Sequence, residues 1–234
     1  MDIRISTSKI IRFLFTLLIV IFVGSICVHI IGLRTGHWRL GGLFTLFSLD
    51  GENTVPTWYN SFILFLLSMT AWAISKVAAA KKTQQEGRWK FLGFLFLVMS
   101  IDEVAMFHET IGKEIATRFH TESWLYFGFV IPGFILALIL LVIYIPFLKS
   151  LPQKTMWGLV TAGAIYVGGA AGVEAIEARW FYLYGERNIV YLLLSNFEEL
   201  CEMGGLILFL KVLLDYLKYH SDDGGSELRL RLEP

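Results

Sequence analysis

The chain has 234 residues, of which 56% are hydrophobic, 15% aromatic and 17% charged, with a mean hydropathy of +0.62. Soluble domains carry about 25% charged residues, so this composition argues against an ordinary water-soluble globule. Lys+Arg and Asp+Glu balance at 20 each, which leaves none of the basic excess that marks a nucleic-acid partner.

A helix crosses hydrocarbon with about 20 mostly apolar residues. Stretches 13–33, 53–75, 123–148 and 155–173 contain no formal charge, while 91–101 and 188–197 are apolar but run directly into acids. The pattern predicts an all-α polytopic bundle of six transmembrane helices, at 10–33, 57–79, 89–117, 124–148, 155–183 and 189–218. They form a single domain, 1–220, followed by a polar cytoplasmic tail, 221–234. Cys27 and Cys201 both lie in apolar runs, so no disulfide framework or CxxC metal knuckle is expected.

Basic residues orient the bundle. Placing both termini in the cytoplasm leaves Arg34, Arg39, Lys113, Arg118, Arg179 and Arg187 outside, and the other fourteen of the twenty basic residues inside. The positive-inside rule favours that arrangement, with loops 34–56, 118–123 and 184–188 external. The first apolar run is longer than a signal-peptide core and lacks a small-residue cleavage site, so it is expected to remain as a helix. In the first outer loop, Leu43-Phe44-Thr45-Leu46-Phe47 suits a short segment lying on the membrane surface. Asp50 and Glu52 follow it, as turn residues or as a cover over the acids described next.

Eight carboxylates fall inside three of the predicted helices: Asp102, Glu103 and Glu109, then Glu174 and Glu177, then Glu198, Glu199 and Glu202. An acid at the bilayer centre costs several kcal/mol, so such groups face partners or a watery cavity. At about 1.5 Å per residue all three sets come to lie between the midplane and the outer face. At 100° per residue, Glu198 and Glu202 stack one turn apart, and Glu174 and Glu177 share a face with Tyr166. Asp102 and Glu109 line up two turns apart, with His108 on one flank.

So many carboxylates cannot all be ionised in a low dielectric without cations. A divalent metal, or a pair of them, is the expected solution, ligated from Asp102, Glu103, His108, Glu109, Glu174, Glu177, Glu198, Glu199 and Glu202. Oxygen-rich ligation favours Fe, Mn or Ca over Zn. The competing expectation is a hydrated vestibule whose acids are protonated or paired with Arg179, Lys113 and Arg187. His29 sits at a compatible depth, though a lone helix histidine is more often satisfied locally.

Asp50-Gly51-Glu52-Asn53 with Pro56-Thr57-Trp58, Ser100-Ile101-Asp102-Glu103 with His108-Glu109, and Glu198-Glu199 with Glu202-Met203-Gly204 resemble an uncharacterised family of bacterial multi-pass membrane proteins. The resemblance spans most of the chain and implies a bacterial inner-membrane setting, without an activity or substrate. Ser100-Ile101-Asp102-Glu103 and Asn196-Phe197-Glu198-Glu199 also echo one another, as an inverted three-plus-three repeat would require.

Three functions fit these residues. The first is a membrane metalloenzyme acting on a lipid or other apolar substrate, with Glu109 and Glu199 as the catalytic proton-moving acids. The second is a cation channel or transporter with the acids as its ion site. The third is an accessory or sensor subunit. Polarity in the predicted cytoplasmic half is limited to Ser68, Ser75 and Thr161, which favours a one-sided site.

Overall fold

The computed structural model describes residues 2–49, 51, 53–220 and 228–231. Asp50 and Glu52, expected as turn residues or as a cover, lie outside the described residues, as does most of the tail. The helices are α1 (Thr7–Thr35), the short surface helix α2 (Leu43–Phe47), α3 (Val55–Ala80), α4 (Glu86–Ala105), α5 (Phe107–Phe119), α6 (Val130–Lys149), α7 (Gln153–Val167), α8 (Glu174–Tyr184) and α9 (Ile189–His220). A π-helical segment, Gly168–Val173, joins α7 to α8. At the chain ends β1 (Asp2–Ile5) pairs antiparallel with β2 (Leu228–Arg231), Ile3 opposite Leu230. The Asp-Ile-Arg-Ile and Leu-Arg-Leu-Arg alternation has the two-residue period that such a ribbon needs.

Local chemistry sets the helix ends. Thr54 and Thr57 form a reciprocal capping box, and Pro56 lies in the first turn of α3. Gly36, at φ 69°, closes α1 in a left-handed turn. Helix α9 runs through the middle of the bundle. Its Met203, Leu206, Ile207 and Leu210 join Leu14 and Leu18 of α1, Ile63 and Leu67 of α3 and Phe96 of α4 in one core. Polar ties cross the same helices: Tyr59 OH donates to Leu14 O at 2.6 Å, and Ser61 and Ser100 exchange hydroxyl-to-carbonyl bonds at 2.7 and 2.9 Å. By contrast, α6 buries Val130, Tyr144 and Phe147 and leaves most of its length exposed.

One expectation changes. The helix predicted at 89–117 is broken: Met106 takes a left-handed conformation (φ 57°), and α5 leaves α4 at 69°. The break is stabilised locally, because Asp102 accepts the backbone N–H of His108 at the start of α5 (3.0 Å). Among the described residues, four helices (α1, α3, α6 and the continuous Gln153–Tyr184 run) are long and apolar enough to cross a membrane, or five with the bent α4–α5 pair. Helix α9 is also long, but its acids lower its apolarity. Its central place in the core lets those acids meet protein instead of lipid.

Candidate functional site

The acidic residues come from α4 and α5 on one side and from α8 and α9 on the other: α8 packs on α9, while α3 packs on both α4 and α9. Helix α7 brings Tyr166 among them, within electrostatic range of Glu202, Glu103, Glu199 and Asp102. The helices approach closely here because α9 presents Gly205 to the backbone of Ala162 and Tyr166, and the π-helical segment presents Gly169 to Glu198 and Cys201. A π-helical turn just before Glu174 shifts the register of α8 relative to α7, and such turns are frequent at functional sites.

The site divides into small polar units. At the α4–α5 break, Asp102 accepts from Nδ1 of His108 at 2.7 Å as well as from its backbone N–H. An ionised carboxylate only accepts, so in this contact Nδ1 carries the hydrogen, and the neutral ring of that tautomer has Nε2 as its acceptor. The pair is accessible, with side-chain exposures of 28% for Asp102 and 32% for His108. One turn away Glu109 pairs with Lys113. Deeper in the bundle, Glu103 accepts from Asn60 Nδ2 of α3 at 3.0 Å.

The second unit joins α8 to α9. The Glu177 and Glu198 carboxyl groups lie next to each other across the α8–α9 contact, with the Tyr191 side chain beside Glu177. Glu177 is 3% exposed, and its Oε2 has no hydrogen-bond partner among the described residues. Glu174 lies within electrostatic range of Glu177 and Glu109, and Glu202 within range of Glu103 and Glu174. Glu199 is half-buried on the same helix.

These units lend the metal expectation no support. Among the described residues, no group of three or more His, Cys, Asp or Glu side chains is placed to hold a metal ion. Asp102, Glu103, His108, Glu109, Glu174, Glu177, Glu198, Glu199 and Glu202 share one region but do not form one ligand set. The reason is partly the bend at Met106, which turns Glu109 off the face of Asp102. Partly it is that Asp102, Glu103, Glu109, Glu177 and Glu198 are engaged with other protein groups.

His29 is also engaged. It is 2% exposed, its Nδ1 accepts from Asn196 Nδ2 of α9 (3.1 Å), and its Nε2 lies 3.2 Å from the Ser48 hydroxyl. Asn60, Tyr191 and Asn196 are site neighbours that the sequence argument passed over. The available signal was an amide inside an otherwise apolar helix, which needs a partner in lipid as much as an acid does.

An apolar cleft adjoins this region. Phe134 and Ile135 of α6 face Ala164 of α7 and Ala171 and Gly172 of the π-helical segment across about 560 Å³. It opens on the exposed apolar face of α6. The π-helical segment thus has the cleft beside Ala171 and Gly172, and Glu202 and Cys201 beside Gly169.

The model of a domain of unknown function, DUF8692, matches residues 11–217, nearly the whole helical bundle. The chain belongs to the DUF8692 family. No curated protein and no solved structure matches it.

Proposed function

We propose that this protein is an integral membrane enzyme that carries out acid–base chemistry on a lipid or other apolar molecule admitted sideways from the bilayer. The observation that carries it is the His108–Asp102 pair at 2.7 Å, in a region bordered by an apolar cleft. An Asp that fixes the tautomer and orientation of a histidine leaves Nε2 able to take a proton from a bound group. The adjacent Glu177 and Glu198 return one in this scheme, as two buried acids that hold a single proton between them. Glu109 and Glu199 remain the acids nearest in kind for shuttling it. The packed apolar core on the other side of the acids favours a one-sided site over a through-path.

The test is reconstitution of the purified chain in vesicles of bacterial phospholipid, with lipid species followed by mass spectrometry. A product formed by the wild type and lost in His108→Gln is expected. A second reading, a proton-coupled transporter, is favoured by the shared proton of Glu177 and Glu198. It predicts unchanged lipid and vesicle acidification that disappears in Glu198→Gln.

A further inference from the structure

Every residue lining the cleft between α6, α7 and the π-helical segment is apolar, from Ile135 and Ala164 at one end to Val130 and Gly172 at the other. A methyl group on Gly168 or Gly172 would meet nothing within 4 Å, so the glycines leave the groove open. Ile131, Phe134 and Ile135 are exposed along it, which lets an apolar chain enter directly from the bilayer.

The end at Val130 and Gly172 leads to the acids. Phe129, the residue before Val130, packs its ring against that of His108 with centroids 5.6 Å apart. A methyl on Gly112 of α5 would lie 3.2 Å from Phe129 N and Cβ, so the start of α6 holds α5 against the mouth of the cleft. On the other wall Glu174 follows Gly172 by two residues, and Glu109, the neighbour of His108, lies within electrostatic range of it. The mouth thus has His108 on one side and Glu174 on the other.

This mouth is short of cations. Among the described residues, no lysine or arginine forms an ion pair with Glu174, Glu177, Glu198 or Glu202, and the charged groups acting on Glu174 are Glu177 and Glu109. Lys113 pairs with Glu109, and Arg179 donates to Ser123 Oγ (2.9 Å) and lies over the Trp124 ring. Glu177, one turn along α8 from Glu174, keeps its buried Oε2 without a hydrogen-bond partner among the described residues. An acceptor left unpaired in so dry a place calls for a donor from outside the chain.

We infer that the cleft and its acidic mouth bind an amphiphile whose head carries a protonated amine, with the apolar chain along α6 and α7 and the ammonium between Glu174 and Nε2 of His108. An ammonium offers N–H donors and no acceptor, which suits a mouth made of acceptors. Its charge answers Glu174, and charge-assisted bonds of this kind are the strong ones. A neutral hydroxyl leaves that charge unanswered, and an anionic head is repelled by it. A mostly apolar cleft with a few polar groups at one end is the usual form of a small-molecule site. The inference rests on the reading that this region admits an apolar molecule from the bilayer, and adds the chemistry of its head.

The full chain, in an uncharged maltoside detergent near neutral pH, is mixed with hexadecylamine, hexadecanol or hexadecyltrimethylammonium at equal mole fraction in the micelle. Retention is read by native mass spectrometry and stabilisation by thermal unfolding. The amine alone combines charge with N–H donors, and should exceed both comparators in each measurement. Glu174→Gln should lower amine retention about tenfold, the loss of one charge-assisted contact, and leave hexadecanol unchanged. Ala164→Phe, at an exposed position in the cleft wall, fills the groove and lowers retention of all three chains, a test that stands even if Glu174→Gln fails to fold. Equal retention of the amine and either comparator overturns the inference, as does amine retention indifferent to both variants. A His108-dependent lipid product without amine preference removes this occupant and leaves the enzyme reading. Amine preference without such a product supports the occupant and counts against the enzyme reading alone.

Discussion

Two adjacent glycines on α9 give opposite expectations for the same substitution. A methyl group on Gly205 would lie 2.9 Å from Tyr166 N, 3.0 Å from Ala162 O and 3.1 Å from Tyr166 Cα, all backbone atoms of α7. None of these can rotate away, so α7 and α9 must separate by several tenths of an ångström. A gap of about 0.5–1 Å forfeits a quarter to a half of each contact's attraction, and overpacking of this kind costs about 1–3 kcal/mol. The helix propensity of Ala over Gly returns about 1 kcal/mol. Gly205→Ala is therefore expected to fall between neutral and about 2 kcal/mol destabilised. At Gly204 a methyl meets nothing within 4 Å, so Gly204→Ala keeps the propensity gain and loses no contact. The two variants should differ by about 1–3 kcal/mol, with a melting-temperature difference of about 2–4 °C for each kcal/mol. Thermal unfolding of both in one detergent measures it, with Gly205→Ala melting lower. Equal melting temperatures would refute the close α7–α9 approach that brings Tyr166 to the acids.

Glu177→Gln retains a donor for Glu198 and should stay within about 1 kcal/mol of wild type, whereas Glu177→Ala strands a buried carboxyl at about 2–4 kcal/mol; chemical denaturation separates them. Asp102→Ala removes both the α5 cap and the histidine's partner, for about 1–2 kcal/mol at this half-exposed site. Asp102→Asn, whose amide oxygen still accepts a backbone N–H, should cost less in the same assay. His29→Ala removes one of the two partners of Asn196 Nδ2 and the partner of the Ser48 hydroxyl, and opens a void, with an expected loss of about 2–4 kcal/mol by thermal unfolding. In a Cys27→Ser/Cys201→Ser background, Glu122→Cys should react with an impermeant thiol reagent in whole cells and Gln84→Cys should not. The reverse pattern rejects the predicted orientation.

Helical class, the large apolar runs and the positions of the acids were legible in the sequence, because burying backbone in lipid demands uninterrupted apolar helix and charges stand out against it. The capping box of Thr54 and Thr57 starts α3 at Val55, two residues before the start expected at 57. The tertiary structure decided what local pattern could not. Helical periodicity placed Asp102 and Glu109 on one face, but Asp102 instead caps a new helix across the Met106 break, and that choice exists only once His108 is in place. The pairing of Glu177 with Glu198, and of Asn60 with Glu103, depends on which helices become neighbours. That neighbourhood is set by small residues such as Gly169 and Gly205, whose value appears only when another backbone lies against them. A count of carboxylates therefore suggested one shared cation, whereas packing distributed the acids among an imidazole, an amide, a lysine and one another.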